Sequence, residues 1–264
     1  MSTDSSILTT LKDGVLSVTL NRPDKLNSFN ATMSEAFHAS IVRADTDPDV
    51  RAILLTGAGR AFCAGQDLGD RDPRKMTEAP DLGHTIETCY NPVLRRIRAM
   101  QKPVVCAVNG VAAGAGANIA IACDIVLAAK SAKFIQAFSK IGLIPDSGGT
   151  WSLPRLIGEA RAKALCLTAE PLDAETAQQW GLIWRAVEDD SLMSESHALV
   201  AKLATGPTLG LGKIKQAIQS AATQSFDAQL DLERDLQRQA GRTEDYAEGV
   251  TAFLEKRTPE FKGK

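Results

Sequence analysis

Short apolar runs of strand length alternate with helix-patterned segments through the first half of the chain. The stretch FNATMSEAFHASIVRAD has helical spacing, with Met33, Phe37, Ile41 and Ala44 on one face. Because helices usually connect parallel strands, this alternation predicts an α/β core with a buried sheet. The runs expected to form its strands are GVLSVTLNRP, VRAILLTGAG, KPVVCAVNG and DIVLAA.

Helical patterns dominate the chain after Trp151. The segment RLIGEARAKALCL is expected to form one helix and WRAV a short strand, and further helices follow to the C-terminus. Earlier in the chain, TIETCYNPVLRRIRAM predicts a helix that is kinked at Pro92 or begins there. Near EDDS the alternation of strand and helix patterns gives way to helix patterns alone. This change predicts an α/β unit over residues 1–190 and a helical unit over residues 191–264.

Charge and composition argue against several classes of protein. The net charge is −2 and no basic block occurs, so nucleic acid is not expected as a partner. The N-terminus lacks the regions of a secretory signal. No apolar run reaches the roughly 18 residues that a membrane span needs. Five cysteines without CxxC spacing favour reduced thiols in the cytoplasm, and three scattered histidines predict no metal site.

Two glycine-rich stretches are candidates for presenting backbone amides. In GAGRAFCAGQDL, Phe62 breaks the GxGxxG pattern, but Gly65 permits a turn that points the amide of Gln66 into a cleft. An ordinary strand-to-helix turn explains the same residues and is favoured on this stretch alone. In NGVAAGAGANIA, unpaired N–H groups at an expected helix start suit an anionic oxygen, although tight packing also needs small residues.

Asp146, within GLIPDSGGTW, is a carboxylate in an otherwise apolar and glycine-rich bend. It is open to three interpretations, as a turn residue, a helix N-cap or a general base. Ser147 lacks the setting of a nucleophile, because Pro145 replaces the first glycine of G-x-S-x-G. Two amide-presenting turns and one carboxylate together indicate proton chemistry beside a carbonyl group.

Three segments of the chain resemble the enoyl-CoA hydratase/isomerase (crotonase) family: FCAGQDL, KPVVCAVNGVAAGAGANIAIACDIVLA and IGLIPDSGGTWSLPRLIG. The resemblance extends from LNRPDKLNS to AFLEKRTPEF. It implies an α/β fold, a crotonase-like spiral of β-β-α units with a C-terminal helical oligomerisation region. It also implies an acyl-CoA thioester as ligand, a homotrimer or dimer of trimers, and no cofactor beyond the coenzyme A of the substrate.

The resemblance also assigns candidate site residues. The thioester carbonyl oxygen is expected between the backbone amides of Gln66 and Ala115, which leaves the Gln66 side chain without a task. From a neighbouring subunit, Phe253 or Lys256 is expected to contribute. The coenzyme A end of the ligand is assigned to Lys25, Ala64, Asp67 and Leu68.

The chain departs from the hydratases of this family at the position of their chemistry. Hydratases handle a water molecule with two glutamates, and here those positions hold Asn118 and Phe138. Both are expected to line the substrate pocket, and neither side chain accepts a proton. Asp146 stands where several isomerases of the family, and a dehalogenase, carry a working aspartate. It is therefore expected to face the acyl chain as the catalytic base.

The segments SGGTWSLPRLIG and WGLIWRAVEDD resemble one subgroup, the ring-epoxide isomerases of phenylacetate catabolism. This implies isomerisation of ring-1,2-epoxyphenylacetyl-CoA to oxepin-CoA and migration of a double bond from position 3 to position 2. Glu87 and Tyr90 are candidates for the acyl pocket, with a plain amphipathic helix as the alternative. The alternative functions are hydration or another family reaction on a different acyl-CoA, thioester hydrolysis, and binding without catalysis.

Overall fold

Six strands form the larger of two sheets in the computed structural model, which describes residues 6–72, 74 and 78–264. The N-terminal segment, in which no secretory signal is expected, lies partly outside those residues. The strands, numbered in chain order, are β1 (Ile7–Lys12), β2 (Val15–Leu20), β3 (Ala52–Gly57), β5 (Val104–Val108), β7 (Ile125–Ala129) and β10 (Arg185–Val187). β1 is antiparallel to β2, and the other neighbours are parallel. All the predicted strands are present in this sheet.

Four short strands form the second sheet: β4 (Ala61–Cys63), β6 (Val111–Ala113), β8 (Lys133–Ile135) and β9 (Leu172–Asp173). β4, β6 and β8 are parallel, and β9 is antiparallel to β8. β3, β5 and β7 are each followed by one strand of this sheet and then by helical segments. The chain therefore winds as the predicted spiral of β-β-α units.

The described residues also contain eleven α-helices. They are α1 (Ala31–Thr46), α2 (Leu82–Thr85), α3 (Asn91–Ala99), α4 (Ala115–Ala122), α5 (Gly149–Ile157), α6 (Glu159–Thr168), α7 (Ala174–Trp180), α8 (Leu192–Ala204), α9 (Thr208–Ala221), α10 (Phe226–Ala240) and α11 (Glu244–Glu255).

One predicted helix is broken, and another contains a π-helical turn. The prediction of one helix over RLIGEARAKALCL is wrong, because Gly158 adopts φ +81° and ψ 156°, outside the helical region, and separates α5 from α6. In the earlier helix, the backbone stays helical from Leu82 to Ala99, and Pro92 lies where π-helical hydrogen bonding changes to that of α3. A π-helical turn at Ile86–Tyr90 precedes it.

One hydrophobic core extends past the predicted boundary at residue 190. The predicted apolar face of α1 is buried in this core. α8 packs on β3, β5 and β7, and its Leu192, Val200 and Ala204 are buried in the same core. The helix that directly follows residue 190 therefore completes the core of the preceding unit.

Polar contacts join α9 and the segment before it to this core. The Lys215 ammonium lies 2.8 Å from the Asp124 carboxylate and donates a 2.6 Å hydrogen bond to the Ile97 carbonyl. Arg51, just before β3, donates to the Gly206 carbonyl at 2.6 Å and to the Thr208 hydroxyl. Within the described ranges, no helix has both the length and the apolar character needed to cross a bilayer.

Candidate active site

A cavity of about 680 Å³ opens between the turn after β4, the start of α4 and the segment that leads into α5. Apolar side chains such as Leu82, Ile86 and Leu143 form much of its wall. The cavity brings together predicted residues from four separate parts of the chain: Ala64, Gln66, Leu68, Tyr90, Ala115, Phe138 and Asp146.

Two backbone turns meet at one side of this cavity. Gly65 has φ +90°, and a Cβ atom there would lie 2.9 Å from the Ala113 oxygen and 3.4 Å from the Ala115 nitrogen. Gly114 has φ +53° and ψ −127°, a conformation that glycine adopts without strain. Among the described residues, neither the Gln66 N–H nor the Ala115 N–H has an acceptor. Both donors therefore remain free beside the cavity, which is the state that a pair of oxyanion donors requires.

The Asp146 carboxyl group lies in the cavity wall, and it is the only carboxylic acid among the described lining residues. Its Oδ1 atom is buried and accepts no hydrogen bond of good geometry from the described residues. Burial raises the pKa of Asp146, and the nearby Ser147 hydroxyl and Arg71 guanidinium oppose this only in part. Gly148, without a side chain, occupies the N-cap position of α5, so the carboxylate of Asp146 does not cap that helix.

Asn118 lies behind the cavity wall rather than in it. Its side chain is 1 % exposed; Nδ2 donates a 2.8 Å hydrogen bond to the Asp146 carbonyl, and Oδ1 accepts one of 2.9 Å from Gln136. A Cβ atom on Gly149 would lie only 2.4 Å from Asn118 Nδ2. Asn118 was expected to line the pocket, but the close packing of α5 covers it. It contacts the backbone of Asp146 and so positions that residue, whereas Phe138 does line the cavity.

Comparisons with known proteins agree with this geometry. The family model described as enoyl-CoA hydratase/isomerase matches residues 10–264. The chain belongs to the enoyl-CoA hydratase/isomerase family. Within the family it is similar to the 1,2-epoxyphenylacetyl-CoA isomerase of Escherichia coli (strain K12), with 57% identity over 258 residues and 98% of each chain covered. It is also similar to a probable enoyl-CoA hydratase of Rhodobacter capsulatus, with 46% identity over 96% of each chain.

The family fold is matched equally well among solved structures. A crystal structure of an enoyl-CoA hydratase from Bacillus anthracis superposes with a TM-score of 0.92 at 31% identity. The alignment covers 98% of this chain and 100% of that one. The predicted family and its fold are confirmed by these matches.

In this member of the family, the two candidates on the helical wall have different surroundings. Tyr90 is 4 % exposed, lines the cavity and donates a 2.7 Å hydrogen bond to Gln66 Oε1. Glu87 is exposed, lies outside the cavity and pairs with Arg95 at 2.8 Å, which lowers the pKa of its carboxyl group. Glu87 therefore lies on the solvent side of this helical wall, and Tyr90 lies on the side towards the cavity.

The residues assigned to the coenzyme A end lie on adjoining turns. Lys25 is exposed on the turn Pro23–Lys25, and the neighbouring Leu26 carbonyl accepts a 2.9 Å hydrogen bond from the Ala64 amide. Asp67 pairs with Arg22 at 3.0 Å, and neither Lys25 nor Asp67 lines the cavity.

Sequence reasoning missed several residues of the site. Arg71 and Lys140 place positive charge along the cavity. In the sequence, Arg71 stands between two aspartates in GDRDPRK, and this mixed charge pattern assigned it no role. The partners of the Gln66 and Asn118 side chains gave no signal in sequence, because each pair joins distant segments. Among the described residues, no three His, Cys, Asp or Glu side chains gather as metal ligands would.

Proposed function

We propose that this chain is an acyl-CoA isomerase that converts ring-1,2-epoxyphenylacetyl-CoA to oxepin-CoA and shifts 3-enoyl-CoA to 2-enoyl-CoA. One observation carries the proposal: a single carboxylate, Asp146, with an unpartnered oxygen faces a cavity that also presents two free amides. Similarity to a 1,2-epoxyphenylacetyl-CoA isomerase along nearly the whole chain supports the same reaction.

In the proposed mechanism, the thioester carbonyl oxygen accepts hydrogen bonds from the N–H groups of Gln66 and Ala115. Asp146 removes a proton from C2, and the electron pair moves into the carbonyl to form an enolate. The two amides stabilise that charge, and one such donor is typically worth ~2.7–4 kcal/mol. The raised pKa of Asp146 brings the base closer to the acidity of the C2 proton, so the transfer is less unfavourable.

Both proposed reactions reduce to the same proton shift. A ring epoxide and its oxepin are valence isomers that interconvert by electrocyclic opening of the carbon–carbon bond shared by the two rings. One carbon–carbon double bond of the oxepin then lies between the β and γ carbons of the acyl group, as it does in a 3-enoyl-CoA. Removing the C2 proton and returning it to the γ carbon conjugates the double bond with the thioester. This shift is redox-neutral, so we propose that it needs no cofactor beyond the coenzyme A of the substrate.

The main alternative is hydration, because a relative with 46% identity is named a probable enoyl-CoA hydratase. Addition of water needs a group that activates it, and the described lining contains no carboxylic acid besides Asp146. Both ends of the Asn118 amide are already hydrogen-bonded, and Phe138 has no polar atom. These contacts favour the isomerase.

A side-by-side assay tests the proposal. Purified protein is given ring-1,2-epoxyphenylacetyl-CoA, a 3-enoyl-CoA and a 2-enoyl-CoA, and products are followed by ultraviolet absorbance and mass spectrometry. We expect turnover of the first two without a gain of 18 mass units. Hydration of the 2-enoyl-CoA as the fastest reaction contradicts the proposal, as does release of free coenzyme A detected with a thiol reagent. A protein that binds all three without turnover is a noncatalytic member.

The pH dependence of the reaction follows from Asp146. The base must be ionised, so kcat/KM for the 3-enoyl-CoA should rise as pH increases through the pKa of Asp146 in the free protein. Because burial raises the pKa of this carboxyl group, the rise should be centred above the ordinary value of an aspartate, about 3.9. The measurement is a pH–rate profile in buffers of constant ionic strength. A profile that stays flat down to that ordinary value contradicts the assignment.

For the coenzyme A end, we propose the adjoining turns that carry Lys25, Ala64 and Leu68, with Asp67 keeping Arg22 in place. The 3.0 Å pair between Asp67 and Arg22, together with the hydrogen bond between the two turns, supports this region as one surface. All five cysteines are free, which supports a reducing compartment, and we propose the cytoplasm.

We also propose that the chain assembles as a homotrimer or a dimer of trimers. Several large apolar side chains of α9–α11 are exposed, and Phe253 is 82 % exposed. Such a surface exceeds what a single amphipathic helix presents to water. Leu236 of α10 is buried and is not part of this surface. The exposed residues are Ile214, Ile218, Phe226, Leu230, Val250, Phe253 and Leu254.

Light scattering at micromolar concentration should give a mass three or six times the 28.2 kDa of the chain. Phe253→Asp should shift the population to smaller species, because a carboxylate cannot be desolvated in an apolar contact without a partner. Leu8→Asp, at an exposed leucine of β1, is the control and should leave the mass unchanged. A wild-type monomer contradicts the proposal.

A further inference from the structure

We propose that Tyr90 is a positioning residue that holds the oxyanion donor Gln66 in place through the Gln66 side chain. The inference rests on the isomerase function proposed above and extends it to a residue outside the reacting groups. The Gln66 side chain had no task in the expected mechanism, which uses only its backbone N–H.

The turn that carries Gln66 is fixed on one side by Phe29. Phe29 N–H donates to the Gly65 carbonyl at 2.7 Å, and the Phe29 carbonyl accepts from the Asp67 N–H at 2.8 Å and from Gln66 Nε2 at 2.9 Å. From the helical wall, the Tyr90 hydroxyl donates a 2.7 Å hydrogen bond to Gln66 Oε1. The side-chain amide of Gln66 is thus fixed at both ends, and the backbone N–H is left free for a ligand.

Tyr90 is itself held rigidly. It ends the π-helical turn Ile86–Tyr90, in which the Asn91 N–H donates to the Ile86 carbonyl. Its ring meets the Phe29 ring edge-on, with centroids 5.9 Å apart and planes at 75°. Burial raises the pKa of Tyr90, so the phenol stays protonated and remains a donor over the working pH range.

The hydrogen bond from Tyr90 to Gln66 joins the helical wall of the cavity to the turn that presents the Gln66 N–H. When Tyr90 loses its hydroxyl, Gln66 Oε1 loses its donor and the Gln66 turn can rotate. The free N–H then points less accurately at the oxyanion, whose charge is greatest in the transition state. We expect Tyr90→Phe to lower kcat about ten- to hundredfold, with KM changed less than about twofold.

The test uses Tyr90→Phe with Tyr246→Phe as the matched control, since the chain has two tyrosines and Tyr246 is exposed on α11. Kinetics are measured with a 3-enoyl-CoA. In parallel, the infrared carbonyl stretch of bound phenylacetyl-CoA, carrying ¹³C at the thioester carbon, reports how strongly the donors polarise that bond. A third variant, Gln66→Leu, removes the side-chain amide that Tyr90 contacts.

The expected result is a smaller downward shift of the bound carbonyl stretch in Tyr90→Phe than in wild type, together with the lower kcat. Tyr246→Phe should match wild type in both. Adding Tyr90→Phe to Gln66→Leu should cost little further activity, because both act through one contact. A Tyr90→Phe protein with an unchanged carbonyl shift overturns the inference, whether or not kcat falls. A wild type that polarises the carbonyl but isomerises nothing overturns the proposed function, while the carbonyl shift in Tyr90→Phe still decides this inference.

Discussion

Asp146→Asn should lower kcat for double-bond migration by about 10³–10⁴-fold or more, at the upper end of the range typical for loss of a general base. An amide keeps nearly the same shape but cannot accept the C2 proton. The described cavity lining offers no second carboxylic acid to take over. Affinity for an acyl-CoA should stay constant or increase, because a negative charge beside the forming enolate is removed. Enzyme kinetics measure kcat, and ligand titration on the same preparation measures the affinity.

The stability of this variant provides an independent check. An aspartate whose pKa is raised on folding disfavours the folded state once it ionises. The stability of the wild type should therefore fall as pH rises from the ordinary pKa of an aspartate to the raised pKa of Asp146 in the folded protein. Asp146→Asn lacks this effect and should be at least as stable as wild type at neutral pH, with the difference vanishing in acid. Asp49→Asn, at an exposed aspartate between α1 and β3, is the control and should change neither activity nor stability. Near-normal turnover in Asp146→Asn places the base elsewhere and refutes the mechanism.

Ala115→Pro should lower kcat by about 10²–10³-fold, as expected when one oxyanion donor is removed. Proline has no N–H, and the first position of a helix tolerates it because the N–H there has no intrahelical acceptor. Ala115 is the first residue of α4 and its N–H has no acceptor among the described residues. The substitution therefore removes the proposed contact to the thioester while leaving α4 its own hydrogen bonds.

Ala31→Pro is the matched control, because Ala31 is the exposed first residue of α1. It should keep wild-type kinetics. Circular dichroism and thermal unfolding show whether both variants remain folded, and kcat for the 3-enoyl-CoA then decides. Ala115→Pro with unchanged kcat and a native fold means that the carbonyl oxygen is bound by other groups.

The larger sheet was predictable because its central strands have clear patterns. β5 and β7 are continuous apolar runs of five residues, β3 begins with four apolar residues, and β2 alternates apolar and polar residues. The second sheet was not predictable from residue patterns, since its strands have two or three residues and show no period. The resemblance to the family implied it instead. The packing of α8 into the core could not be inferred either, because an amphipathic pattern shows that a face is buried but not against what.

The site divides in the same way. Gly65 and the glycines before residue 118 indicate turns, and the unusual position of Asp146 is visible in the sequence. The sequence therefore predicted that Gln66, Ala115 and Asp146 lie close together, and all three line one cavity. The contacts of Tyr90 and Asn118 join residues 24 and 28 positions apart: Tyr90 to the Gln66 side chain, and Asn118 to the Asp146 carbonyl. A local sequence pattern does not predict contacts between residues so far apart in the chain.

The amide pair of Asn118 and Gln136 also bears on how this family moves between reactions. A glutamate at 118, which resemblance associates with water addition, would remove the donor to the Asp146 carbonyl and add a methylene where Gly149 leaves no room. A second carboxylate would still be missing at Phe138. A glutamate introduced at position 118 alone should therefore weaken isomerisation without providing hydration. We therefore expect that an engineered conversion to hydration has to change positions 118, 138 and 149 together.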